Sequence, residues 1–88
     1  MRAGAYLHLN AARAQLPEVP APGLDGATVS GFEECLQQHE MELALDELED
    51  LGLTNAPPGD FWRHLILAAE NMELWERAAD FKLKMGNA

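Results

Sequence analysis

Apolar residues recur along this chain at spacings of three and four, and Pro or Gly interrupts them at a few points, the pattern of short helices rather than strands. Tyr6, Leu9, Arg13 and Leu16, with Ala5 and Ala12, make a modest stripe that ends at Pro17, so residues 1–16 read as an N-terminal helix. Leu7 and Leu9 alternate with Tyr6 and His8 as a short strand would, but the surplus of alanine favours helix. Residues 17–29, PEVPAPGLDGATV, hold three prolines and two glycines and read as an extended linker. Such a segment can serve as an SH3-type ligand; a semi-rigid connection is the simpler reading.

Residues 30–85 form the helical core. Ser30 with Glu33 three residues later predicts a capping box, and Gly52 followed by Leu53 predicts a left-handed ending in which Leu53 touches Leu48. Between these ends the apolar face changes phase. Phe32, Leu36 and Leu43 share one side, whereas Met41, Ala44, Leu45, Leu48 and Leu51 share another, more than about 90° away at roughly 100° per residue. One straight helix would leave one set in water, so a break is expected near Gln38-His39-Glu40. Thr54 to Gly59 reads as a turn, with Pro57-Pro58 at the start of the next helix. Phe61, Trp62, Leu65, Ile66, Ala68, Ala69 and Met72 then cover one arc, and Leu74, Ala78, Phe81 and Met85 a further stripe. Asn71-Met72-Glu73 is a candidate turn, although no Gly or Pro enforces it and one long helix also fits. The expected fold is all-α, a small bundle of four to five short helices in a single domain, with Phe61, Leu65, Leu48 and Phe81 in its core. No internal repeat is visible.

Eighty-eight residues allow one domain, which buries only about 60–65% of its unfolded surface and needs most of its large apolar residues. The chain is 48% hydrophobic, too apolar for intrinsic disorder. No apolar run reaches the roughly 20 residues that cross a bilayer, and the start of the chain makes a poor signal peptide. A single cysteine, Cys35, excludes an internal disulfide and makes the cytoplasm the expected compartment.

The distribution of charge changes the picture more than its total of −9. Residues 31–53 carry Glu33, Glu34, Glu40, Glu42, Asp46, Glu47, Glu49 and Asp50 with no Lys or Arg, a net of −8. Residues 1–30 are neutral and residues 54–88 sum to −1. Nucleic acid and anionic membrane, which both demand a basic footprint, are disfavoured as ligands.

Candidate chemistry is sparse. His39-Glu40-Met41-Glu42-Leu43 begins like a zinc-protease helix but places leucine where the second histidine must stand. His8, His39 and His64 lie far apart with no ligand spacing, and the acids of residues 40–50 lack the loop glycine and alternation of an EF-hand. No metal or cofactor is expected. Cys35 follows Glu33 and Glu34, which oppose thiolate formation, so it reads as an apolar filler. No triad, P-loop or glycine-rich dinucleotide motif is present, and no enzymatic activity is expected.

The acidic face remains to be explained. Glu42, Asp46, Glu47, Glu49 and Asp50 lie opposite the apolar side of their helix. A solvated face is the plain reading. Yet four of them crowd the C-terminal turns, where the helix dipole is negative and like charges repel. Tolerance of that cost points to a basic protein partner, or to a basic patch on Arg63 and the Lys82/Lys84 end. On the last helix Trp75, Ala79 and Leu83 form a second apolar stripe, about 100–140° from the first. It is covered by the folded-back N-terminal helix or it supports a homodimer.

The segments Phe32-Glu33-Glu34-Cys35-Leu36-Gln37-Gln38-His39-Glu40, Leu43-Ala44-Leu45-Asp46-Glu47-Leu48, Phe61-Trp62 with Leu65, and Ala68-Ala69 with Met72-Glu73-Leu74 resemble the small helical immunity proteins of Maf polymorphic-toxin systems. The likeness spans residues 30–75. It implies a cytoplasmic antidote that binds and blocks a cognate toxin, which the acidic face would make a basic one, and a helix break at His39-Glu40, where this sequence lacks the family's glycine. The alternative is a self-associating helical adaptor with no toxin partner.

Overall fold

The computed structural model describes residues 3–87, and these form five helices and no strand. Helix α1 (Ala3–Ala14) turns Ala5, Leu9 and Ala12 inward; residues 1–2 of the expected N-terminal helix lie outside the described residues. The chain tightens through Gln15 and Leu16, whose amides reach back to Ala12 and Arg13. Arg13 also donates to the carbonyls of Pro17 and Glu18, so a cation closes the negative end of the helix dipole.

Of the expected linker at residues 17–29, Val29 already belongs to the next helix, Val29–Gln37, which leaves residues 17–28 as the connection. They form a strap stitched to α3 (Met41–Asn55) by side chains of that helix. Asn55 accepts from the Ala21 amide and donates to the Ala21 carbonyl, both at 2.9 Å. The Asp50 carboxylate accepts from the amides of Asp25 and Ala27. Gly26 supplies the left-handed φ of +88° that this turn requires. Gly23 is demanded by space, because a Cβ there would lie 2.1 Å from the Asp50 carboxylate.

Helix α2 (Val29–Gln37) starts earlier than the Ser30–Glu33 capping box predicts. Thr28 is the N-cap, its hydroxyl accepting from the Gly31 amide at 3.0 Å. The reciprocal half of the box comes from another helix: Glu47 of α3 accepts from the Thr28 amide. The strap, by fixing Ala27, sets the N-cap two residues ahead of the predicted Ser30.

Helix α3 passes through Gly52, the expected terminator, and ends at Ala56, which adopts φ +44°. Gly52 serves packing. A Cβ there would stand 2.5 Å from the Phe61 ring and 2.9 Å from the Trp62 ring, so α3 lies directly on those aromatics. Leu53 is accordingly half exposed rather than folded back on Leu48.

Helices α4 (Gly59–Asn71) and α5 (Trp75–Gly86) are separate, so the turn at Asn71-Met72-Glu73 exists. The α2–α3 and α4–α5 corners share one construction. His39 and Glu73 both take left-handed φ, +59° and +61°. Each is followed by a 6→1 hydrogen bond, Glu40 to Cys35 and Leu74 to Ala69, and each amide makes the inner bond, to Leu36 and Glu70. Two Schellman endings thus each begin the next helix at once. They stand 34 positions apart, the period of a common two-helix repeat. The sequence hides it because few matched positions agree in type, Ala44/Ala78 and Gly52/Gly86 among them.

The core joins Leu9 of α1, Phe32 of α2, Leu45, Leu48 and Leu51 of α3, Phe61 and Leu65 of α4, and Phe81 of α5, all at most 1% exposed. Trp62 meets Phe61 edge-on with ring centroids 5.0 Å apart. Leu43, expected to share the side of Phe32 and Leu36, is 51% exposed because the corner starts a new helix with its own phase. Helix α1 lies chiefly on α4 and also on α3. It does not cover the second stripe of α5.

Candidate protein-binding surface

The structure divides the acidic segment into two populations. On α3, Asp50 is 9% exposed and committed to the strap amides, and Glu47 holds the Thr28 amide. Asp46 and Glu49 are bridged by Arg77 of α5, at 2.8 and 3.0 Å, and Lys84 reaches Glu49 at 3.4 Å. The Arg77 guanidinium also sits over the Phe81 ring, 5.3 Å from its centre. Hydrogen bonding to Asp80 first, and then the nearby Glu49, holds the Lys84 ammonium above its ordinary pKa. The crowded carboxylates are therefore offset by α5 and by backbone amides. Of the two basic patches the charge pattern suggested, Lys84 serves; Arg63 instead pairs with Asp60 at 2.8 Å.

Four other acids are left facing water. Glu33, Glu34, Glu40 and Glu42 are exposed, and among the described residues none forms an ion pair. Glu33 and Glu34 line a polar hollow of about 520 Å³ with Ser30, Gln37 and Gln38. Glu40 and Glu42 border a neighbouring hollow of about 430 Å³ whose other walls are His39, Met41, Leu43 and Met72. Of the five acids singled out by sequence, only Glu42 belongs to this free surface; the other four have partners within the chain. No sequence signal separates Glu33, Glu34 and Glu40 from the acids of α3, because Lys and Arg are absent from the whole of residues 31–53.

Burial first, then Glu47, Glu40, Glu34 and Asp46, pushes the half-buried Cys35 thiol above its ordinary pKa. The thiol is thereby kept protonated and a poor nucleophile. His39 accepts or donates at 2.6 Å to the Tyr6 hydroxyl, which ties α1 to the α2–α3 corner. His8 and His64, remote in sequence, meet with Nδ1 atoms 3.1 Å apart and rings stacked at 5.3 Å. Burial, and then the charges of His64 and Arg63, lower the His8 pKa. Among the described residues no three His, Cys, Asp or Glu side chains converge as a metal site, and no helix is long and apolar enough to cross a membrane.

On α5, Trp75 is 60% and Leu83 70% exposed, with Ala79 exposed between them. The expected second stripe is thus open on the surface, on the side of α5 away from Phe81. No family model, curated protein or solved structure matches the chain.

Proposed function

We propose that this protein is a non-catalytic binding module that meets a basic protein through the acidic surface of α2 and the α2–α3 corner. The observation that carries this reading is the uncompensated quartet Glu33, Glu34, Glu40 and Glu42, standing beside Asp46, Glu47, Glu49 and Asp50, each of which has a partner within the chain. Like-signed carboxylates at Glu33/Glu34 and Glu40/Glu42 repel one another, and opposed fields accelerate association with a basic partner. Met41, Leu43 and Met72 in the adjoining hollow supply apolar contact next to the charge. The resemblance of residues 30–75 to Maf-type immunity proteins makes the partner a toxin domain and this chain its antidote. The reading is tested with the product of the adjacent gene, by stopped-flow association at rising salt. The expected result is an on-rate that falls steeply with ionic strength and drops about tenfold in the Glu33→Lys/Glu42→Lys variant. Absence of binding, or an on-rate indifferent to both, overturns it.

A further inference from the structure

Helix α1 is seated unevenly. Leu9 and Ala12, with Leu16 just beyond, bury its second half, whereas in its first half Ala5 is buried and Leu7 is 71% exposed. Two contacts on imidazole nitrogens help to seat that first half, Tyr6 with His39 and His8 with His64. The second of these has a definite direction. Its Nδ1 atoms are 3.1 Å apart and its ring centres 5.3 Å, and the rings are so far offset that the difference is about one ring radius at each end. Both nitrogens thus lie close to the line between the centres. An imidazole N–H points radially out of its ring, so this is the in-line geometry of an N–H···N hydrogen bond, with one Nδ1 protonated and the other bare. The second nitrogen of His64, Nε2, lies 3.5 Å from the Arg63 guanidinium, which can only donate. In the neutral pair the proton therefore sits on His64 Nδ1, and His8 Nδ1 accepts it.

That bond leaves the pair no favourable place for added charge. A proton on His8 Nδ1 sets two N–H groups head to head, and a proton on His64 Nε2 meets Arg63. Asp60, one turn away on α4, is already engaged by Arg63, and Glu70 further along that helix is held by Lys82. Residues 3–14 of α1 contain no acid, and their one other cation, Arg13, is held at the far end by the carbonyls of Pro17 and Glu18. Burial, and then His64 and Arg63, accordingly keep His8 below its ordinary pKa of 6.5, so the closed form loses its advantage as pH falls from there. We propose that His8 and His64 form a proton-operated clasp: acid breaks the N–H···N bond and frees the first turns of α1 from α4. Leu9, Ala12 and Leu16 keep the rest of the helix in the core. Tyr6 rides on the freed turns, so opening also releases its hydroxyl from His39 at the α2–α3 corner. A hydroxyl can donate to a neutral ring or accept from a protonated one, so the switch lies at His8 and His64 rather than at His39.

Nitrogen-15 NMR of the labelled wild-type chain tests the clasp directly. At neutral pH His64 should be the Nδ1–H tautomer and His8 the Nε2–H tautomer, with a scalar coupling across the bond between the two Nδ1 nitrogens. On acidification the coupling should vanish. Over the same pH range the hydrogen-exchange protection factors of the Leu7 and His8 amides should fall about tenfold or more, while those of Leu45 and Leu48 on α3 hold. In His64→Asn, whose amide can donate to or accept from His8 without titrating, the first turns of α1 should stay protected throughout. The wild-type spectra decide the matter even where that variant folds poorly. Two Nε2–H tautomers at neutral pH, α1 protection that ignores pH, or an acid step that survives in His64→Asn would each overturn the proposal.

Discussion

The α2–α3 and α4–α5 units use the same corner yet carry opposite burdens. Helix α3 contacts α1, α2 and α4, whereas α5 packs chiefly on α4. Matched positions therefore diverge: Leu45 and Leu48 are fully buried, but their counterparts Ala79 and Lys82 are exposed. Gly52 is pressed against two aromatic rings, and its counterpart Gly86 meets nothing within 4 Å. The corner, set by local hydrogen bonds, tolerates unrelated sequences; the faces are set by what else packs on each helix. A helix hairpin is thus a frame whose two sides are assigned by position in the fold rather than by its own turn.

Matched substitutions probe that contrast, and the largest effects fall on α3. Leu45→Ala and Leu48→Ala should each cost about 2–5 kcal/mol, while Lys82→Ala should stay within about 0.5 kcal/mol, by urea unfolding at low protein concentration. Equal losses at the two positions would dissolve the distinction between the helices. Asp50→Ala is next. It strands the Asp25 and Ala27 amides and should cost about 2–3 kcal/mol. Asp50→Lys should be worse still, although dipole and like-charge arguments from sequence alone expect this change, like Glu49→Lys, to stabilise. A rise in midpoint for Asp50→Lys would return this acid to the surface.

The glycine pair gives effects of opposite sign. Gly52→Ala should destabilise by about 1–3 kcal/mol through overpacking, and Gly86→Ala should stabilise by about 0.5–1 kcal/mol through helix propensity. Thermal melts of the two variants showing the same direction would end the comparison. A smaller, pH-linked effect separates α1–α4 from both corners. His8 has a folded pKa below its ordinary value of 6.5, so folding favours its neutral form. Its contribution is therefore complete above about pH 6.5 and is lost as pH falls from there through the folded value. His8→Phe should flatten that part of the stability–pH curve, and a wild-type slope in the variant would remove His8 as its source.

Much of the fold was legible in the chain. The helical periodicity, the phase shift at Gln38-His39-Glu40, the buried set of Leu48, Phe61, Leu65 and Phe81, and the second stripe of α5 all follow from residue order, because a helix places residues three and four apart on one face. Helix ends were less legible. Ser30 and Gly52 carry the residue types of caps, but Thr28 is chosen by Glu47 and the strap, and Gly52 by the rings of Phe61 and Trp62. The acidic run was visible as a net of −8, yet its division into satisfied and free carboxylates was not. Arg77 and Lys84 lie some thirty residues from Asp46 and Glu49, and the amides held by Asp50 lie about as far away on the other side. Sequence determines which residues share a helix face, since that geometry is local. Which charges remain uncompensated depends on long-range neighbours, and only the tertiary structure brings those together.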